Sequence, residues 1–406
     1  MARTVGEKAS RVTLLALGLA AVAGPPFGCD GGHNDGSNVE PVDPVLVDLL
    51  SAVGPGVVLP TLDEVLQAGE GLQVAADAWV QATDAGNDGV AEREAAQDAF
   101  YVAMRTWQMA EVHQLGPAAA SGKAIGGEDL RDEIYSWPTV NSCRIDQETV
   151  KANWDEPTFF TSNLVNVYGL DAIGYLLFAP ENENSCVDLF DINSEGTWDA
   201  LGAEGVARHR ALYTAALTDH FLLNVETLRD AWAADGGDFT GVLATAPNDS
   251  FFTATEGLDA IFKALFYLEV VTKDDKLARP AGKRDCDADA CPGNVEDPWT
   301  GGSIEWIGGN LDGFERLFTG GGAGGVDDVL TEWGHADLAE RMLQNIDSAQ
   351  AVVEQTEGTL EDLVVNDPEA VVTLYTAVKA ITDDLKGDLA TVLALEIPSE
   401  AAGDND

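Results

Sequence analysis

Between Val90 and Gln114 the apolar residues Ala96, Phe100, Ala103, Trp107 and Ala110 step along the chain by four, three, four and three positions, and Gly116-Pro117 ends the run. That spacing places all five on one face of a long helix. The same period returns in Leu338, Met342, Ile346, Ala349 and Val353, and again in Val371, Leu374, Val378, Ile381, Leu385 and Leu389. Asp367-Pro368 stands ahead of this last stripe as a cap and a first-turn proline. Val206 to Ala234 is a further long amphipathic segment, and no stretch sustains a two-residue alternation. An all-α fold follows. At 406 residues the chain exceeds one ordinary core, so two packed helical bundles are expected, over residues 45–235 and 236–398. Residues 278–300 and the glycine-rich 319–325 read as breaks between helices.

The first residues stand outside that pattern. Arg3, Lys8 and Arg11 lead into the apolar run Val12–Ala23 and then Gly24-Pro-Pro-Phe-Gly-Cys29, which reads as a secretory signal over residues 1–28. Gly28-Cys29 resembles a bacterial lipobox with Pro26 in place of the usual aliphatic residue, making Cys29 the expected lipidation site; a plain signal peptide cut nearby is the alternative. Residues 29–44 carry no apolar period and read as a tether. The expected location is beyond the inner membrane, as a periplasmic or outer-membrane lipoprotein whose membrane contact is its lipid. The remaining Cys143, Cys186, Cys286 and Cys291 allow three disulfide pairings. Local spacing favours Cys286 with Cys291, and therefore Cys143 with Cys186.

Against 22 basic residues stand 70 acidic ones, a formal charge of −48. Such a field repels nucleic acid and anionic headgroups and favours cations, although solubility alone accounts for it equally well. Signatures of common hydrolases are absent: the sequence has no H-E-x-x-H, no G-x-S-x-G and no P-loop. His209 and His220 share a helical face but lie about 16 Å apart along it, too far to share one ion. Asp285, Asp287, Asp289 and Glu296 fall at positions one, three, five and twelve of a calcium-loop template. Ala290 stands where that template wants glycine, and a Cys286–Cys291 bridge would constrain the same backbone, which favours a solvated acidic loop.

The stretch Tyr168-Gly-Leu-Asp-Ala-Ile-Gly-Tyr-Leu-Leu-Phe178 is apolar enough for a core helix, yet it carries Asp171, Gly169 and Gly174. A glycine inside a helix costs on the order of 1 kcal/mol against alanine, and a buried carboxylate needs a partner. Gly257-Leu-Asp-Ala-Ile261 repeats the first five residues of its helical part, as a duplicated unit would. Together with Trp107-Gln-Met-Ala-Glu111, Ile134-Tyr-Ser-Trp-Pro138, Arg144-Ile-Asp146, Lys276-Leu-Ala-Arg-Pro280 and Gly309–Phe318, it resembles the successive landmarks of imelysin-type proteins, the insulin-cleaving membrane peptidase group. The likeness runs from about residue 45 to the last helix.

The resemblance implies an all-helical, two-bundle envelope protein, often a lipoprotein, encoded in many bacteria beside iron-uptake machinery. It further implies a G-x-H-x-x-E helix whose His and Glu hold a metal, supported by a Glu on the Trp-bearing helix and an Asp between them. In this chain Gly169 matches the Gly, Asp171 takes the His position and Gly174 the Glu position, while Glu111 and Asp146 match the supporting acids. The expected metal set is therefore oxygen-only: Glu111, Asp146 and Asp171. It suits a divalent or ferric ion, with calcium, magnesium, manganese or iron(III) better matched than zinc. A structural role stands beside that reading, with Asp171 capping or bonding a neighbouring helix and Gly174 permitting close packing. The expected function is binding of a metal ion or small ligand in iron or metal acquisition, with envelope uptake proteins as partners and no catalytic residues. A metallopeptidase and a partner-docking lipoprotein are the alternatives.

Overall fold

The computed structural model describes residues 41–402, so the expected signal peptide, Cys29 and all but the end of the tether lie outside the described residues. Asp43 accepts a hydrogen bond from Val45 N–H and Pro44 occupies the first turn, which starts helix α1 (Pro44–Ala52). The helical path continues through a π-turn at Val53–Val58 into α2 (Leu59–Asp84). Pro55 lies in that turn and has no N–H to give the ladder, so the backbone widens there instead of ending. This Pro44–Asp84 stretch is long and apolar enough to cross a membrane, but 56% of its most apolar window is buried against the rest of the protein.

Helix α3 (Val90–Glu111) buries Ala96, Phe100, Ala103, Trp107 and Ala110, the stripe expected from the sequence. Gln108 and Glu111 share that buried face. Downstream come α4 (Leu130–Ile134), α5 (Ser142–Lys151, capped by Asn141), a single turn at Phe159–Ser162, and α6 (Leu170–Phe178). The long helix Thr197–Trp232 bends at Gly202, whose φ of 63° is left-handed. In the C-terminal part, Asp367 accepts from Ala370 N–H with Pro368 in the first turn. The stripe Val371, Leu374, Val378, Ile381, Leu385 and Leu389 is buried as expected.

Among the described residues the secondary structure is helical throughout, with no strand. The chain from Val42 onward forms one compact unit, and apolar residues from both sides of the 235/236 boundary share one continuous core. Helix α3 does much of this joining: it packs on α2 and also on the helix Ser303–Phe318. Both disulfides pair as the spacing favoured, Cys143 with Cys186 and Cys286 with Cys291. The internal echo has no common local role. Asp171 is buried in the first turn of α6, whereas Asp259 sits mid-helix, half-buried, in an ion pair with Lys263 at 2.6 Å.

Candidate functional site

Gly169 opens α6 at φ 89°, and a Cβ there would lie 2.8 Å from Ile134 O, so no other residue fits without a shift. Gly174 serves α6 differently. A Cβ at that position would come within 2.9 Å of Phe100 Cζ on α3 and 3.5 Å of Asp297 Oδ1. The glycine lets α3 approach closely and leaves a carboxylate, delivered from a distant loop, at the place where residue 174 has no side chain.

Asp171 is 2% exposed; it accepts from Ser136 Oγ at 2.8 Å and from Ala172 N–H at 2.9 Å. Asp297 accepts from Thr300 Oγ1 at 2.9 Å through Oδ2. Its Oδ1 is buried and makes no well-formed hydrogen bond. Burial pushes Asp171 up to about 7, against the pull of Ser136 and the Ala172 N–H. Burial pushes Asp297 up to about 8, opposed by Thr300 and the Trp306 indole N–H and reinforced by the charges of Glu296 and Asp171.

Next to this pair lies an ammonium-centred network. Lys276 Nζ, on the π-helical segment Leu268–Ala278, donates to Gln108 Oε1 at 2.6 Å and Asn310 Oδ1 at 3.0 Å. It also lies 3.0 Å from Glu296 Oε1 and 3.7 Å from Glu111 Oε2. Glu296 Oε1 further accepts from Tyr135 OH at 2.7 Å and Gln108 Nε2 at 3.0 Å. On the other side, Arg131 on α4 donates through Nε to Glu111 Oε1 at 2.9 Å, with Nη2 on the same oxygen. Burial raises Glu111, but Arg131 and Lys276 outweigh it and hold the carboxyl below its usual range. Glu296 moves up, because burial and the nearby Glu111 charge exceed the pull of Lys276. Tyr135 feels all four carboxylates after burial itself, and its phenol is driven well above the usual value. A cleft of about 260 Å³ opens beside the network, with Arg131, Tyr267 and Trp137 in its wall and Asp129, Asp132 and Asp275 around them.

Asp146 is elsewhere. Its Oδ2 accepts from Tyr175 OH at 2.7 Å, Ser185 N–H at 2.7 Å and Ser185 Oγ at 2.9 Å, and Arg210 Nη2 stands 3.8 Å from Oδ1. The structure thus brings Glu111 and Asp171 to the surroundings of Tyr135 and gives Asp146 a separate set of partners. As a trio these acids do not fit a metal ion, and no group of three His, Cys, Asp or Glu side chains among the described residues is arranged to hold one. The calcium-loop template also fails. Glu296 is fully buried against Lys276 and Tyr135, while the exposed Asp285 faces Arg279 and Arg284.

Sequence reasoning missed Asp297, saw Glu296 only as a calcium-loop position, and quoted Gln108, Tyr135, Lys276 and Asn310 within landmark stretches without giving them a role. None of the described histidines bonds to the network. His113 is buried on Gly313 O at 3.1 Å and pushed down to about 4 by burial, His209 bonds Thr149 O, and His220 stacks on Phe160.

The imelysin family model, of the M75 peptidase group, matches residues 58–387. The chain belongs to the imelysin family. Among solved structures, an imelysin-like protein from Psychrobacter arcticum aligns at 18% identity with a TM-score of 0.63, covering 87% of this chain and 96% of that one. A putative iron-regulated protein A precursor from Parabacteroides distasonis aligns at 13% identity with a TM-score of 0.64, covering 88% and 97%. At these identities the two neighbours establish the imelysin fold. No curated protein matches the sequence significantly.

Proposed function

We propose that this imelysin-family chain is a binding protein of the cell envelope without peptidase activity, held to the membrane through Cys29 and working in iron or other metal acquisition. Its ligand is a hard, partly hydrated cation taken at Asp171 and Asp297. The observation that carries this reading is the Asp297 carboxylate: Oδ1 is buried without a well-formed hydrogen bond, the Trp306 indole N–H being a further donor acting on this carboxyl, and it stands 3.5 Å from where a Cβ on residue 174 would be. The acid that Gly174 lacks is replaced in space by one from the loop after the Cys286–Cys291 bridge. Two carboxylates with a nearby hydroxyl suit an ion that keeps several waters, as magnesium-type sites do, and not a closed zinc centre. Ser136 is that hydroxyl, bonded to Asp171.

Charge supports the same reading. Four acids, Glu111, Asp171, Glu296 and Asp297, surround Tyr135, with the cations Arg131 and Lys276 among them. Three more carboxylates line the neighbouring cleft. A peptidase reading lacks the nitrogen ligand and the helix-borne general base, since Asp171 and Gly174 occupy those positions.

Isothermal titration of the purified domain with Mn²⁺, Ca²⁺ and citrate-buffered Fe³⁺ tests the proposal. Saturable uptake of at least one ion, weakened at least about tenfold in both Asp171→Asn and Asp297→Asn, is expected. Absence of uptake of all three by the intact domain would end the cation reading. Cleavage of a peptide library that a chelator abolishes would end the non-peptidase part.

A further inference from the structure

Two cations stand among the four acids around Tyr135, and they are held in different ways. Lys276 is enclosed: it is fully buried, and its ammonium is bonded by Gln108, Asn310 and Glu296. Arg131 faces two ways. Its Nε and Nη2 bond Glu111, whose side chain is 0% exposed, while its Nη1 donates at 2.9 Å to Asp132, whose side chain is 61% exposed. The Arg131 side chain is itself 17% exposed and lines the cleft of about 260 Å³ beside Trp137 and Tyr267. It also donates to Trp137 O at 3.2 Å, and the preceding Ser136 bonds Asp171, so the guanidinium is tied to the residue next to the one that holds the cation-site carboxylate. Its charge is felt at Asp171.

When all four acids are ionised, Lys276 and Arg131 offset two of the four negative charges, and two remain. A divalent ion then completes neutrality with Arg131 seated on Glu111. A trivalent ion completes it only with one positive charge fewer, and residual charge in a protein interior is costly. Of the two cations Arg131 is the adjustable one. Without it Glu111 still has Lys276 at 3.7 Å, and the cleft opens on the place it would vacate. Removing Lys276 would instead take the nearest cation from the fully buried Glu296. The acids in the cleft wall, Asp129 and Asp132, are exposed and screened by water, so they enter this balance weakly.

We infer, resting on the cation reading above, that Arg131 is the residue that sets the valence of the bound ion: seated against Glu111, it fits the Asp171 and Asp297 site to a divalent ion and holds off a trivalent one. Repulsion between the guanidinium and a bound ion grows with the charge of that ion, so it weighs half as much again on a trivalent ion as on a divalent one of the same size. Arg131 acts here through its charge and not as a ligand.

The test is titration of the intact domain with Ca²⁺, Mn²⁺ and Tb³⁺, the last a hard ion of about the Ca²⁺ radius, all at matched ionic strength. Only the uptake that Asp297→Asn removes is counted, because exposed acids elsewhere on a chain of formal charge −48 also attract cations. The quantity followed is the ratio of the Kd for the tighter divalent ion to the Kd for Tb³⁺. Arg131→Gln is expected to shift that ratio at least about tenfold toward Tb³⁺, the effect of one unit charge acting through a protein interior. Arg131→Lys keeps the charge without the forked hydrogen bonds and is expected to hold the wild-type ratio. Glu111→Gln removes a negative charge and is expected to move the ratio the opposite way, which keeps the inference open to refutation if Arg131→Gln does not fold. A merely loosened site would weaken all three ions together and leave the ratio where it was. An unchanged ratio in Arg131→Gln or in Glu111→Gln, or an equal shift in Arg131→Lys, overturns the inference while cation uptake stands. No Asp297-dependent uptake of any of the three ions ends the cation reading and this inference with it.

Discussion

Two buried polar clusters in this molecule neutralise their charges in opposite ways. Around Asp146 one acid meets one cation, Arg210, and three hydrogen bonds converge on a single carboxylate oxygen. Around Tyr135 four acids meet two cations, and burial lifts Asp171, Glu296 and Asp297 above their ordinary range. The first arrangement is closed, since adding a cation would only compete with Arg210. The second is left with negative charge that protons or a bound cation must offset. Hydrogen-bond satisfaction does not separate them, since Asp146 Oδ1 and Asp297 Oδ1 are both buried without a partner; what differs is the charge opposite, the Arg210 cation for Asp146 and the acids Glu296 and Asp171 for Asp297.

The contrast breaks most sharply at Lys276. Its ammonium is the cation nearest Glu296, at 3.0 Å, and with Arg131 it opposes the burial of Glu111. Lys276→Met is expected to destabilise the domain by about 3–5 kcal/mol in urea unfolding, the usual cost of stranding a buried partner. A loss under about 1 kcal/mol would mean that the acids simply protonate, and that the network is neutral without the lysine.

The disulfides sharpen the comparison from the side of the chain. Cys143–Cys186 closes a 43-residue separation and holds Ser185 against Asp146, whereas Cys286–Cys291 spans only five. Chain entropy predicts losses of roughly 4 kcal/mol and about 2 kcal/mol on double replacement by serine. Equal losses would show that the longer bridge constrains less than its span suggests, with strong residual structure in the unfolded chain.

Burial raises the pKa of Asp146 as well, but the largest rises are in the Tyr135 cluster. Asp171 and Asp297 hold protons more tightly folded than unfolded, rising from 3.8 to about 7 and about 8. The folded state then binds more protons than the unfolded state between these limits, so stability falls as pH rises through the window and levels off above about 8. From pH 6.5 upward the buried His113, pushed down to about 4, is largely neutral in both states and adds little. A decline on the order of 2 kcal/mol between pH 6.5 and 9 is expected, and Asp297→Asn should remove most of it. An unchanged slope in that variant would place the titration elsewhere.

The sequence made the scaffold readable because helix formation leaves a periodic trace. The α3 stripe, the Asp367-Pro368 start and both disulfide pairings needed only local spacing. Half of the site was readable for the same reason, since Glu111 rides the α3 stripe and Asp171 opens an apolar helix. Asp297 left no trace. It comes from a loop with no period, 123 positions beyond the glycine whose missing side chain it faces. Glu296 was visible only as a calcium-loop position, because nothing local reveals that Lys276 and Tyr135 await it in the interior. Asp146 misled through its match to a landmark; the match set its place on α5, but Tyr175 and Ser185 set its partners.

Asp146 also supplies the mildest test. Asparagine there keeps an oxygen to accept from Tyr175 and Ser185, and Arg210 retains its three carbonyl partners. Only the charge facing Arg210 at 3.8 Å is lost, a pair too long for a good hydrogen bond, so Asp146→Asn should cost about 1–2 kcal/mol. Cation uptake at Asp171 and Asp297 should be untouched by it. If uptake instead falls as far as in Asp171→Asn, the three acids act together despite their separate partners. A rearrangement that frees Asp146 from Ser185 would then have to accompany binding, and the closed cluster would be the resting state of an open one.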